Sequence, residues 1–421
     1  MTERGGRIAR IIAVTMAAVA VGSCTTAPSP STASTFAAGS PWVGNFVPAA
    51  LPTPVNALSD VACTSSSRCW AVGSTTGGSG APNGAALVTT ADGGTSWTGQ
   101  TIPSTVAYLS AIACSDRRHC IAVGQAAQYP GGQAASIATS DGGASWTLLE
   151  APAGILDITA VTCRPDRRCV AVGTTPEGST ALVATSPTSG WMERGSLPAG
   201  ISGATAISCT DDRTCWVTGR SPIDADHVKG VVAVSADGGT TWALEVVPTG
   251  LGSLNDVSCL PGPTTGSGAL PTPSGPITAP PITAPPITIT TTAPAPIIGV
   301  AGARCVVVGT SATVLNSARA GHGVLLTTDN GGATWSTRPV PETAAALTGI
   351  SCTRLATCVA VGNTVASVPA AGVIVVSGSA GGPWRSAPSV TGPLPLSSVN
   401  CVSVSSCVAV GESISEHLSG G

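Results

Sequence analysis

The sequence is poor in charge, in aromatic rings and above all in lysine. Only 9% of its 421 residues are charged and 3% are aromatic, with two Tyr and two Phe. Lys229 is the single lysine, and the formal net charge is −3. With no basic helix and no long basic run, the chain is not built to bind nucleic acid. Histidine is also scarce, at four, which leaves little for metal sites. The apolar stretch nearest the start, Ile11 to Gly22, falls short of the about 20 residues that span a bilayer as a helix. What the sequence has instead is 52 Gly, 34 Pro and 15 Cys, with many small and β-branched residues. That composition is turn-rich and β-leaning, with a core of small side chains.

The N-terminus reads as a targeting segment. Arg4, Arg7 and Arg10 precede the apolar stretch, which ends in Val21-Gly22-Ser23-Cys24. This resembles a bacterial lipobox. The resemblance implies that residues 1–23 are a lipoprotein signal peptide and that Cys24 is lipidated as the first mature residue. Residues 24–31 are then a tether, and the protein is anchored by its N-terminal lipid to the outer face of a bacterial membrane.

Internal repetition is the strongest feature. CTSSSRCWAVG (63–73) recurs as CSDRRHCIAVG (114–124), CRPDRRCVAVG (163–173), CTDDRTCWVTG (209–219), CTRLATCVAVG (352–362) and CVSVSSCVAVG (401–411). A further copy is split, with Cys259 separated from ARCVVVG (303–309) by a long insertion. A strand of the form LSDVAC, LSAIAC, ITAVTC, LNDVSC, LTGISC or LSSVNC stands ahead of most copies. Seven copies use every cysteine except Cys24. An unpaired cysteine in a secreted chain needs a reason, and lipid attachment supplies one.

A second motif follows most pairs. It reads TADGGTSW (90–97), TSDGGASW (139–146), SADGGTTW (235–242), TDNGGATW (328–335) and SGSAGGPW (377–384), and a degenerate copy ends at Trp191. These resemble the Asp box of sialidase-like and other bacterial propellers (BNR repeats), over about residues 31–415 apart from the insertion. In such a turn Asp bonds backbone amides, glycines take positive φ and Trp seals the hairpin. Asp92, Asp141 and Asp237, with Asn330 in the same place, are therefore expected to be structural, as are Trp97, Trp146, Trp242, Trp335 and Trp384.

Each unit then reads as four strands. Strand a ends at the first cysteine, b starts at the second, c precedes the box and d follows its tryptophan. Four-stranded units of roughly 50 residues set in a ring are β-propeller blades. The last unit stops near Gly411, whereas TFAAGSPW (35–42) carries Thr35, Gly39 and Trp42 at box positions. The expected fold is thus all-β, a seven-bladed β-propeller over residues 32–415. Its last blade is shared by the two ends of the chain, which removes any open edge, and 416–421 is left as a tail.

The cysteine pairs flank the a–b turns. Zinc would need two further ligands at each site, and redox catalysis usually uses C-x-x-C. Facing positions on antiparallel strands suit a disulfide. Seven staples are expected: Cys63–Cys69, Cys114–Cys120, Cys163–Cys169, Cys209–Cys215, Cys259–Cys305, Cys352–Cys358 and Cys401–Cys407. The insertion in the fifth blade, residues 260–302, contains PITAPPITAPPITITTTAPAP. This low-complexity sequence builds no core and reads as a disordered surface loop.

Topology puts the a–b and c–d turns on one face and the b–c and d–a loops on the other. The a–b turns carry Arg68, Arg117, Arg118, Arg164, Arg167, Arg168, Arg213, Arg304 and Arg354 against Asp116, Asp166, Asp211 and Asp212. Such a rim near the ring axis suits an anionic partner. With strand c starting near Thr32, eight tether residues reach roughly 26 Å, which would hold the b–c face toward the membrane.

The sialidase resemblance implies an arginine triad and a Tyr–Glu pair on the b–c side. Only Arg220 and Arg319 lie in b–c loops, and neither Tyr108 nor Tyr129 has an evident Glu partner. The loop SPIDADHVKG (221–230) offers Asp224, Asp226 and His227 to a cation and Lys229 to an anion, though an ordinary solvated loop explains it as well. No catalytic residue, cofactor or metal is assigned. Propellers of this kind also include the lumenal photosystem assembly factors, where the ring is a scaffold. The expected role is non-enzymatic: a monomeric, lipid-anchored scaffold binding an envelope protein or a cell-wall polymer. The alternative is a sialidase-like glycoside hydrolase or a glycan-binding propeller.

Overall fold

The computed structural model describes residues 10–15, 47–76, 84–126, 132–186, 189–223, 227–262, 302–311, 321–353, 357–364, 371–378, 382–387, 395–403 and 405–412, with residues 10–15, 47 and 48 described by their backbone alone. All regular structure among them is β. Six blades are each built from four consecutive antiparallel strands, over residues 55–99, 106–148, 157–196, 203–244, 251–337 and 344–386. In the first, strand a is Val55–Cys63, b is Cys69–Thr75, c is Ala85–Thr90 and d is Thr98–Gly99. Each a strand packs beside the a strand of the next blade.

Leu396–Ser403 and Ser406–Gly411 form a sheet with two strands from the other end of the chain, and Leu396–Ser403 packs against Val55–Cys63. This seam differs from the expected one. Six blades, not seven, come from consecutive strands. The third strand at the seam is Arg10–Thr15, with Ile12 opposite Ala409, and the outer one is Val47–Ala50. The expected third strand, starting near Thr32, and the start of the expected outer strand at Trp42 lie outside the described residues, as does Cys24. Strand composition explains the exchange. Third strands elsewhere are buried apolar runs such as STALVA (179–184) and VVAVS (231–235). RIIAVT matches that pattern. TAST (32–35), with three hydroxyl side chains in four residues, does not.

Within each blade the cysteines stand opposite one another, as in Cys63↔Cys69 and Cys114↔Cys120. All seven expected disulfides are present, with Cα–Cα distances of 4.0 to 4.1 Å. They use fourteen cysteines and leave Cys24. Strand a bulges ahead of its cysteine, between Leu58 and Asp60 in the first blade. The bulge lays its backbone over strand b, where the repeat has glycine. A Cβ on Gly73 would stand 2.0 Å from the Ala57 carbonyl oxygen, and one on Gly362 would stand 1.9 Å from that of Ala346. Close backbone approach therefore explains the glycine that ends each C-x-x-V-G-like stretch.

The core lies between blades. Trp216, fully buried, packs with Leu254, Val307 and Trp335 of the next blade. Trp70 packs in the same way with Leu109, Ile112 and Trp146. Small b and c residues such as Ala71 and Ala233 are also fully buried, so neighbouring sheets approach closely despite the shortage of aromatics.

Candidate functional site: the ring axis and its arginine rim

The axis is lined by one polar residue from each a strand. Its cavity, of about 190 Å³, is bounded by Ser59, Ser110, Thr159, Thr205, Asn255, Thr348 and Ser397, with Asp60, Asp256 and Ser398 among them. Most of these side chains bond the next blade. Ser110 donates to the Ile158 carbonyl (3.2 Å), Thr159 to that of Ala204 (3.0 Å) and Thr205 to that of Leu254 (2.6 Å). Asn255 donates to the Leu347 carbonyl (2.8 Å) and Thr348 to that of Leu396 (2.6 Å). A second tier lies nearer the rim. Ser208, Ser258, Ser351 and Asn400 accept the N–H of Cys259, Cys352, Cys401 and Cys63 respectively, at 3.0 to 3.1 Å. The last of these joins the two ends of the chain. The repeat carried a signal for both tiers: a hydroxyl or amide after the first residue of L-x-x-V-x-C, and often another just before the cysteine.

The two carboxylates serve the same joints. Asp60 Oδ2 accepts from the Ile112 N–H at 2.8 Å, while Oδ1 accepts from Val61 N–H and from Ser398 Oγ. Asp256 accepts from Ile350 N–H and Val257 N–H, each at 2.8 Å. Burial pushes both pKa values up against these hydrogen bonds. Asp256, which also feels Asp60, reaches about 7. Every one of the four oxygens has a donor, so the pair is arranged as a brace between blades.

Around the mouth the arginines divide into two sets. Arg68 stacks over Trp70 at 5.2 Å and donates to the Gly142 carbonyl of the next blade (2.9 Å). Arg168 lies against Gly238 of blade 4. Arg164 pairs with Asp166 (3.5 Å), and Arg167 reaches across to Asp116 (3.6 Å), which also holds His119. In contrast, Arg117, Arg118, Arg213 and Arg304 are exposed and make no ion pair among the described residues. They sit on blades 2, 4 and 5, in one arc of the face. Arg354 lies outside the described residues.

The outer turns are self-contained. Asp92 accepts from Ser96 Oγ (2.5 Å), Ser96 N–H and Thr90 Oγ1, while Gly93 and Gly94 take positive φ. The Ser96 hydrogen bond, first among several, lowers the Asp92 pKa to about 2. Asp141 is likewise lowered by Ser145, and Asp237 is lowered by bonds from Thr241 that outweigh its desolvation. Asn330 holds its turn through Thr328 and Thr334. Trp97 and Trp242 donate to the Gly94 and Gly239 carbonyls, at 3.1 Å each. Trp146 and Trp384 are buried.

Of the sialidase-type residues, Tyr108 shares a hydrogen bond with Ser59 (2.7 Å), Arg220 is exposed, and Tyr129 and Arg319 lie outside the described residues. Asp224 and Asp226 also lie outside them, while His227 and Lys229 are exposed. Among the described residues no cluster of three His, Cys, Asp or Glu is placed to hold a metal ion.

The architecture defines an all-β propeller of disulfide-stapled, four-stranded blades. Solved structures of the same fold include YCF48 bound to D1 peptide (12% identity, TM-score 0.52), covering 86% of this chain and 92% of that one. YCF48 from Cyanidioschyzon merolae aligns at 13% identity and TM-score 0.52, covering 86% and 95%. The Niastella koreensis GH74 enzyme aligns at 10% and 0.51, covering 85% of this chain and 51% of that enzyme. No family model and no curated protein sequence matches the chain.

Proposed function

We propose that this chain is a non-enzymatic binding scaffold of the bacterial cell envelope, held at the membrane by lipid on Cys24. It docks an anionic envelope protein or cell-wall polymer on its arginine rim. The observation that carries this reading is the set of exposed arginines at 117, 118, 213 and 304, without ion-pair partners among the described residues, on a ring braced by disulfides and inter-blade hydrogen bonds. A rigid surface loses little entropy when it binds, and a cationic mouth on an acidic protein directs an anionic partner to one end. Supporting the scaffold role, YCF48 of the same fold has been solved with a peptide bound. Removal of residues 1–23 also takes away Arg10–Thr15, so the mature chain fills the place beside Ser406–Gly411 from another segment.

The test is crosslinking and pull-down from cell envelopes with the wild type and an R117E/R118E/R213E/R304E variant. The expected result is a partner captured by the wild type, lost from the variant and released by salt. Equal capture by both proteins would sink the rim as the docking surface.

A hydrolase is the second reading, favoured by two carboxylates on one cavity and by the GH74 likeness in fold. Its test is turnover on a panel of glycosides that disappears in Asp256→Asn. The brace geometry predicts no turnover in either protein.

A further inference from the structure

Blade 4 carries a feature that the axial site does not use. Its strand b runs from Cys215 to Pro222, one residue further past its cysteine than in the other described blades, and Pro222 pairs with Val228. Between this b–c hairpin and the d–a connection lies a groove of about 410 Å³, bordered by Ile223, Lys229, Leu244, Val246 and Pro248. Ile223 is 60% exposed, Leu244 45% and Val246 91%. Three of the seven exposed large apolar side chains of the described residues thus meet on one flank, beside the chain's only lysine.

We propose that this flank is a membrane-contact patch: Ile223, Leu244 and Val246 enter the interfacial layer of a phospholipid bilayer, and Lys229 pairs with a lipid phosphate. This rests on the lipid-anchored reading for the nearness of the bilayer. Aliphatic side chains held out in water gain by entering the acyl boundary. A lysine stem lies along the same apolar surface while its ammonium reaches a phosphate. The expected eight-residue tether fixes which face meets the membrane only through a strand starting near Thr32, which lies outside the described residues. From Cys24 to Val47, the start of the strand that leads into blade 1, the chain reaches roughly 75 Å. A span of that length permits either face, so surface chemistry orients the ring. The apolar flank turns toward lipid at the b–c end, and the arginine rim at the other end is left open to its partner.

The full chain carrying Val246→Trp tests this with vesicles of phosphatidylglycerol and phosphatidylcholine, in brominated and unbrominated forms. Val402→Trp, in the exposed a–b turn of the seam, is the matched position on the opposite face. The nine native tryptophans are subtracted as the unsubstituted protein. The expected outcome is a blue shift and bromine quenching of the added tryptophan at 246 and neither at 402. Quenching at both positions, or at neither, overturns the patch. So does vesicle-free self-association abolished by Ile223→Ser, which would assign the flank to a second copy of the chain. Mass spectrometry of the N-terminal peptide from membranes decides separately whether Cys24 carries lipid.

Discussion

At the residue scale, the informative side chain is Glu245. It stands three residues after Trp242, the place that Leu149 and Ala387 take in blades 2 and 6, where both pack into the core between blades. Here a carboxyl group occupies it, half-buried against Gly332 of blade 5. It accepts from Trp335 Nε1, with Trp216 also turned toward it. Burial outweighs both indoles and pushes its pKa to about 7. The folded state therefore holds a proton that the unfolded chain, with an ordinary carboxylate, gives up near pH 4.5. Stability from this group is full below that pH and is lost as pH rises toward 7. The loss is at most about 3 kcal/mol. Asp256 and Asp60 act in the same direction. Asp92 acts oppositely, losing its contribution as pH falls from about 4 toward 2. Maximal stability is thus expected near pH 5. Denaturant titrations across pH 4–8 should show the decline, and Glu245→Leu should flatten much of it. A variant as pH-sensitive as the wild type would show that Glu245 is not the group responsible.

At the element scale, the unit of stability is the stapled a–b hairpin. A disulfide across six residues, as in Cys114–Cys120, contributes about 2 kcal/mol in the chain-entropy model, and one across 46, as in Cys259–Cys305, about 4. Replacing each pair by serines should lower the unfolding free energy in that order, read by urea titration. Reversal of the order would mean that the unfolded chain is already compact around the insertion. The hairpins also show what the sequence made legible. Cysteine spacing and the box spacing act within about 50 residues, so each blade and its staple follow from local pattern. The bulge glycines carried their signal too, since every copy of the repeat has one, but the Ala57 and Ala346 carbonyls that demand it become visible only in the fold.

At the scale of the whole molecule, the ring is held by bonds that pass from blade to blade. The joint between its ends uses the same chemistry as the others: Asn400 holds the Cys63 N–H as Ser258 holds that of Cys352. Asn400→Ala and Ser258→Ala should therefore each cost about 2 kcal/mol, the penalty of an unmet amide. A negligible loss for Asn400→Ala beside a full loss for Ser258→Ala would place an opening at the seam.

By itself the sequence determined the propeller blades, their strand order and all seven sulfur bridges, because these depend on neighbours within one repeat. Tertiary structure alone decided which segment completes the seam, which carboxyl groups are buried between blades and which apolar side chains stay in water. Those outcomes depend on contacts between distant parts of the chain, where a buried position selects for apolar content and backbone donors whatever the local motif. Hence Arg10–Thr15, which carries no part of the repeat motif, stands beside the last strand.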